Sequence, residues 1–267
     1  MYMYPTRASN FTQIIVNQQE DLTDILRNTI MKVVNGDCIT RMKEMSCMSV
    51  YTTVIGNNDE LIKRVAELYL NSGDVVADVT YGRGVWWKKV DLEQYDFYPS
   101  DIITCPDTPY DFKDLPHEDE SLNVVAFDPP YMHTVGRPMV DPNYLNSATT
   151  HGMCHQDIMQ LYHDGMKEAR RVLVEDGFLW VKCQDEIESG HQRWSHIDIY
   201  NIATQLGFYG KDLFILVQTK NPHIQRRQLH ARKKHSYLWI FQKIPTIKFD
   251  RLTTRGIVNT RVEVDEC

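Results

Sequence analysis

From residue 58 to residue 243, short β-rich apolar runs alternate with segments of helical apolar spacing, and this alternation limits the fold more than any other feature of the chain. Asn58 to Leu70 places Leu61, Ile62, Val65, Leu68 and Tyr69 at helical intervals, with Asn57 or Asn58 as N-cap and Asn71-Ser72-Gly73-Asp74 as stop. Val75 to Val79 reads as a strand running into the tight turn Tyr81-Gly82-Arg83-Gly84. Tyr95 to Tyr98 is a second strand, ending near Asp101. Ser121 to Phe127 is a third, buried one, and it delivers Asp128-Pro129-Pro130-Tyr131 at its C-terminal end. Gln156 to Val172 carries Ile158, Met159, Tyr162, Met166, Ala169 and Val172 on one helical face, closed by Glu175-Asp176-Gly177. Phe178 to Cys183 is the next strand. Ser195 to Leu206 is a helix capped by Ser195 and stopped by Gly207, and Asp212 to Val217 and Ser236 to Gln242 are the last strands. Strands joined through helices imply right-handed crossovers and a mostly parallel sheet. Ligands of such sheets bind beyond the strand C-terminal ends.

The length of 267 residues suits one α/β domain with appendages: residues 1–50 before it, a core over 51–245 and a tail over 246–267. No stretch approaches the roughly 18 to 20 apolar residues that span a bilayer. The start, Met1 to Arg7, has no apolar signal core, and six cysteines are scattered without CxxC pairs, so a cytoplasmic protein with reduced thiols and no membrane contact is expected. His151, Cys154, His155 and His163 match no zinc spacing, so no metal is expected.

Charge is unevenly distributed. The net value of −7 speaks against a generally cationic nucleic-acid coat. Yet Lys220 to His235 contains no acid and holds Lys220, Arg226, Arg227, Arg232, Lys233 and Lys234, either a solvated loop or a strip that contacts phosphates. Asp91 to Asp128 is acid-rich with Lys113 as its single base, unsuited to phosphates and suited to a cationic or hydroxyl-bearing small ligand.

Two motifs carry chemistry. Asp78-Val79-Thr80-Tyr81-Gly82-Arg83-Gly84 sets an acid at a strand end and two glycines that allow close backbone approach. Asp101 lies 17 residues beyond Gly84, where a carboxylate can take ribose hydroxyls. Trp87 stands where a dinucleotide fingerprint requires its third glycine, so the expected cofactor is nucleoside-like and lacks phosphates; a plain tight turn is the alternative. In Asp128-Pro129-Pro130-Tyr131 the prolines stiffen the corner and remove two donors, leaving the Asp128 carboxylate and the Pro129 carbonyl as acceptors. An acceptor-only corner suits an amino group whose lone pair must be localised on nitrogen, and Tyr131 offers a stacking face. A structural proline turn is the competing reading. Trp86 and Trp87 either flank the cofactor or belong to the core, and His133, Lys182, Gln184 and Asp185 are cleft candidates or satisfied loop residues.

On these residues the chain resembles the S-adenosylmethionine-dependent amino-methyltransferases of DNA, which modify adenine N6 or cytosine N4. The resemblance spans Asn58 to Lys243. It implies a Rossmann-like, mostly parallel seven-stranded sheet with an antiparallel last strand. It also implies S-adenosyl-L-methionine as cofactor, and catalysis by Asp128, Pro129, Pro130 and Tyr131. The implied cofactor contacts are Asp78, Thr80, Tyr81, Gly82 and Gly84 for the amino-acid part, Asp101 and Ile102 for the ribose, and Asp111 and Phe112 for the adenine, with Asp128 beside them. An aspartate heading the motif favours adenine N6 in double-stranded DNA. Cytosine N4, an RNA base and an inactive DNA-binding homologue are the alternatives. Thr80, Arg83 and Val85-Trp86-Trp87 depart from the family pattern at the cofactor turn. Recognition has room only in small insertions at 132–155, 185–195 and 219–235. It is therefore expected to be short, relaxed or assisted by a restriction or specificity partner.

Overall fold

The computed structural model describes residues 49–130, 153–219 and 229–245. Residues 1–48, the tail 246–267 and most of the insertion at 132–155 lie outside the described residues.

In chain order the elements are β1 (Thr53–Ile55), α1 (Asn58–Tyr69), β2 (Val75–Asp78), a short 3-10 turn (Leu92–Gln94), β3 (Asp96–Pro99) and β4 (Leu122–Phe127). They continue with α2 (His155–Val172), β5 (Leu173–Cys183), β6 (Glu186–Glu188), β7 (His191–Arg193), α3 (Ser195–Gln205), β8 (Phe208–Val217) and β9 (His235–Lys243). Seven strands form one sheet in the order β1-β8-β9-β5-β4-β2-β3. β9 runs antiparallel to both β5 and β8, and every other pairing in the sheet is parallel. The expected mostly parallel seven-stranded sheet with an antiparallel last strand is what the chain forms.

Alternation along the strands sorts side chains to two faces. On one face Val125, Phe127, Leu179 and Val181 pack against Ile158, Tyr162, Met166 and Ala169 of α2 and Ile199 and Ala203 of α3. On the other, Val76, Val124, Ala126, Trp180, Leu238 and Ile240 meet Leu61, Ile62 and Val65 of α1 together with Trp86 and Trp87. Each such buried side chain contributes about 1.5–3 kcal/mol of hydrophobic transfer. α1 begins at the Asn57 cap, where the Glu60 carboxylate accepts the Asn57 N–H at 3.1 Å. It ends at Leu70, whose N–H bonds to the Ala66 carbonyl.

Several boundaries differ from the sequence reading. Trp194, not Ser195, is the N-cap of α3; Ser195 is the first helical residue and its buried hydroxyl has no partner. β5 starts at Leu173, directly after α2. The segment Glu175-Asp176-Gly177 is therefore an irregular stretch of strand, with Asp176 at φ +63° where the register against β4 shifts. β8 begins at Phe208, four residues early, with a bulge between Gly210 and Asp212. β1 is an additional strand of three residues at the sheet edge, of which Val54 is buried.

Gly165 ties the core to the strand ends. A Cβ there would lie 2.4 Å from Cζ of Phe127 and 2.9 Å from Cδ2 of Phe112. Alanine for glycine ordinarily stabilises a helix interior by about 1 kcal/mol. Overpacking of about 1–3 kcal/mol opposes that gain here, so Gly165→Ala is expected to lower the thermal midpoint. A raised midpoint would mean that α2 can back away from β4.

Candidate active site

The C-terminal ends of β2, β3 and β4 open on a cavity of about 280 Å³. Asp78, Thr80, Tyr81, Gly82, Asp101, Ile102, Asp111, Phe112, Asp128 and Pro130 all line it. Residues from three separate stretches of sequence thus meet in one space. Gly84 and Pro129 stand beside the cavity rather than on its wall. Tyr131 lies outside the described residues.

Parallel pairing explains the convergence. Asp78 pairs with Ala126, and Phe127 with Val181, so the chain leaves each strand at the same level. After β2 the backbone turns through Gly82 at φ +57° and Gly84 at φ +65°, both in the left-handed region that favours glycine. At Gly84 a Cβ would also strike the Tyr81 ring, 2.4 Å from its hydroxyl oxygen. The turn is pinned by Tyr81 N–H to the Ser100 carbonyl at 3.0 Å and by the Thr104 hydroxyl to the Gly82 carbonyl at 2.7 Å. Thr80 has a visible role at this turn. Its hydroxyl accepts the Asp128 N–H at 2.7 Å and so joins the glycine turn to the proline corner.

The four acids on the wall differ in surroundings. Asp78 is buried, and its carboxylate accepts the Trp87 indole N–H at 2.7 Å and the Thr80 N–H at 3.0 Å. Burial pushes its carboxyl up to about 7; these two hydrogen bonds oppose the rise, and the charges of Asp128 and Asp101 add to it. Asp101 turns the chain after β3 by accepting the backbone N–H groups of Ile103 and Thr104 at 2.8 and 2.7 Å. Asp111 pairs with Lys113 at 3.4 Å. Asp128 is half-buried as a residue, yet its Oδ1 is shut off from solvent and has no hydrogen-bond partner. Burial raises the Asp128 carboxyl, opposed by the Lys182 charge and by a hydrogen bond from the Trp86 indole.

Trp86 and Trp87 are therefore core residues and site residues at once. The sequence reading missed the wall contributions of Arg83, Ile103, Thr104, Tyr110, Met153 and Leu161. Ile102, Ile103 and Tyr110 are exposed apolar side chains following an acid at a strand end, a signal that could have been read. Gln184 and Asp185 are held within the fold: the Gln184 amide donates to the His235 carbonyl at 2.7 Å, and Asp185 pairs with His196 at 2.7 Å.

Of the basic strip, Lys220, Arg226 and Arg227 lie outside the described residues. Lys233 donates to the Gln192 side chain at 2.9 Å, and His230 contacts the Gly190 carbonyl at 2.9 Å. Arg232 is exposed, and the Lys234 carbonyl accepts the Gln218 N–H. The end of the strip thus rests on the β6–β7 hairpin, which turns through Ser189 and Gly190, both at positive φ, as a type I′ turn requires. Among the described residues no group of three His, Cys, Asp or Glu could hold a metal; His155 is instead set between Glu186 at 2.8 Å and Asp198 at 3.2 Å. No described helix is long and apolar enough to cross a membrane.

No protein-family model matches the chain, and no curated protein matches it in sequence. Among solved structures, the fold is similar to that of an SAM-dependent methyltransferase from Methanosarcina mazei, with 12% identity and a TM-score of 0.41 over 67% of this chain and 97% of that one. It is also similar to a candidate DNA modification methylase from Thermus thermophilus, crystallised with S-adenosyl-L-methionine, with 19% identity and a TM-score of 0.35. That match covers 49% of this chain and 51% of the methylase, so this chain spans about half its length. A third is TrmN from Thermus thermophilus, at 12% identity and a TM-score of 0.46, over 70% of this chain and 49% of that one.

The state of Asp78 can be read through stability. Its folded carboxyl holds a proton up to about pH 7, whereas the ordinary value is 3.8. The folded state therefore binds more protons across that window, and stability from this group is present at low pH and lost as the pH rises toward 7. Relative to Asp78→Asn, the wild type should gain stability as the pH falls through that range. Denaturant unfolding at several pH values measures it, and parallel curves for the two proteins would contradict the assignment.

Proposed function

We propose that the chain is an S-adenosyl-L-methionine-dependent methyltransferase acting on an exocyclic amino group of a nucleic-acid base, adenine N6 in DNA before others. One observation carries the reading: the glycine turn and the proline corner border a single cavity, and Asp128, whose Oδ1 is buried and unpartnered, is one of its lining residues. A plain tight turn and a structural proline turn would have no reason to share a cavity.

The residues present fit this cofactor. It supplies, when bound, a methyl group on a positively charged sulfur. The cavity wall carries Asp78, Asp101, Asp111 and Asp128 against Arg83 and Lys113, and Lys113 is already paired with Asp111, so the wall favours a cation over a phosphate. Asp78 and the turn through Gly82 and Gly84 receive the amino-acid end. Asp101 takes the ribose hydroxyls, and the apolar side chains of Ile102 and Phe112 flank the adenine, next to Asp111.

Asp128 and the Pro129 carbonyl accept the two hydrogens of the target amino group. This draws the nitrogen lone pair out of conjugation with the ring and aims it at the methyl group. With the cofactor held there, a nitrogen–carbon bond would form as its carbon–sulfur bond broke, and the surplus proton would leave to water. The base must be flipped out of its stack, at a few kcal/mol, and Tyr131 offsets part of that by stacking on it. Lys220, Arg226, Arg227, Arg232, Lys233 and Lys234 contact the phosphates. Cytosine N4 and RNA bases present the same amino group, so the corner by itself reads an amino group rather than one base.

The test is to incubate the protein with labelled S-adenosyl-L-methionine and unmethylated DNA or RNA, digest to nucleosides and identify the labelled one. N6-methyladenine from DNA is expected. Asp128→Ala should keep cofactor binding and reduce transfer by at least roughly 10²-fold, the scale of losing one transition-state hydrogen bond. Wild-type rates in that variant would remove the role given to Asp128, and cofactor binding without any product in the wild type would favour an inactive homologue. In DNA binding, Arg226→Ala with Arg227→Ala should flatten the slope of log affinity against log salt by about 2, close to 0.9 per lost phosphate contact. An unchanged slope would leave the strip a solvated loop.

A further inference from the structure

Behind the cavity wall, on the face of the sheet that packs against α1, two rows of residues cross neighbouring strands. Asp78, Ala126, Trp180 and Ile240 form the first row through successive pairings of β2, β4, β5 and β9. One level higher, the residues that follow the pair Phe127 and Val181 are Asp128 and Lys182, and Lys182 pairs with Leu238. Lys182 is 2% exposed, deep in an apolar sheet between Trp180 and Leu238 on one face. A buried ammonium costs several kcal/mol unless an opposite charge faces it. Burial pulls the Lys182 ammonium down, and Asp128 is the acid that opposes this. A methionine would fill the same place more cheaply, so packing does not account for the lysine.

The two tryptophans complete the arrangement. Trp87 stacks on Trp180 with ring centres 6.0 Å apart and gives its N–H to Asp78. Trp86, buried on the cavity wall, helps to hold the Asp128 carboxyl down. Neighbouring indoles thus hold neighbouring acids, and Lys182 stands at Asp128 alone.

Resting on the reading of Asp128 as the acceptor for the target amino group, we propose that Lys182 is the buried counter-charge of Asp128. With the Trp86 indole it is a positioning residue that keeps this carboxylate charged and leaves Oδ1 to the substrate. Among the described residues, the ionisable groups electrostatically linked to Asp128 are Asp78 at the end of β2 and Lys182 and Cys183 of β5, while Arg83, Asp101, Asp111 and Lys113 share its cavity wall. Burial pushes the Cys183 thiol up, so it stays neutral. Lys182 is the buried cation in that set. Without it, burial favours the protonated form of Asp128.

The experiment compares wild type with Lys182→Met, of similar length and no charge. Carbonyl-labelled aspartate followed by NMR across a pH series reads the ionisation of Asp128 directly, assigned with Asp128→Asn, and requires no turnover. The Asp128 midpoint should rise by about one to three pH units, the usual effect of an opposite charge at close range. Where methyl transfer is measurable, the acid limb of the kcat profile should move up by the same amount with cofactor affinity unchanged, and Lys182→Arg should restore it. If Lys182→Met does not fold, Trp86→Phe removes the other stabiliser of the charged form and should move the midpoint in the same direction. An unmoved Asp128 midpoint in a folded variant overturns the proposal. A shifted midpoint in a protein that methylates nothing upholds it and rejects methyl transfer instead.

Discussion

A carboxylate shut into apolar surroundings costs several kcal/mol unless hydrogen bonds or an opposite charge compensate it, and this chain sets two of them at the ends of adjacent strands. Asp78 and Asp128 raise each other's proton affinity through space, and burial raises both. What makes the pair tolerable is a run of two tryptophans immediately after the glycine turn. In a regular strand Trp86 and Trp87 would point to opposite faces. They follow a turn instead: the Trp87 indole N–H reaches Asp78 while its ring packs against Phe97 and Trp180, and Trp86 is buried on the cavity wall that includes Asp128. The same atoms stabilise the fold and shape the cavity floor.

The register of the sheet is what turns this local device into a site. A slip of one residue between β2 and β4, or between β4 and β5, would move Asp128 and Lys182 to the face that carries Phe127 and Val181. That face is filled by Tyr162, Met166 and Ile199. The bulge in the β4–β5 pairing after Leu122 is the adjustment that brings Phe127 level with Val181, and hence Asp128 level with Lys182. Gly177, whose Cβ would lie 2.9 Å from the Val174 carbonyl and 3.0 Å from that of Asn123, keeps the bulge closed. A feature far from the cavity thus sets the level of the two charges beside it.

Much of this was legible in the residues themselves. Periodicity located α1, α2 and six of the seven strands of the sheet, and the two motifs named most of the cavity wall. β1 escaped because three residues with a single buried side chain leave no alternation to read. The hairpin β6–β7 escaped for a related reason. Its strands are three residues long and polar, and its one signal, Ser189-Gly190, is a common loop dipeptide. Ser195 misled as a cap because the chain enters α3 one residue earlier, through Trp194, where the backbone rather than a hydroxyl sets the start. The part of the site hardest to read was the pairing of Trp86 with Asp128 and of Lys182 with the same acid. Both join residues more than 40 positions apart, and neither residue type announces its partner until strand order and register are fixed.

Once they are fixed, the two acids cease to be equivalent. Asp78 is the more enclosed residue and holds the Trp87 indole, whereas the buried cation Lys182 acts on Asp128. Asp78 keeps its proton to about pH 7, whereas the charge of Lys182 opposes the rise that burial imposes on Asp128. A site that must present an acceptor to a neutral amino group needs the first acid ionised whether or not a ligand is present. A site that must receive a cation benefits from a second acid that can give up its proton as the cation arrives, because that acid costs less to bury while the cavity waits. Lys182 divides the two roles between the two carboxylates, and Trp86 and Trp87 keep each one facing its own.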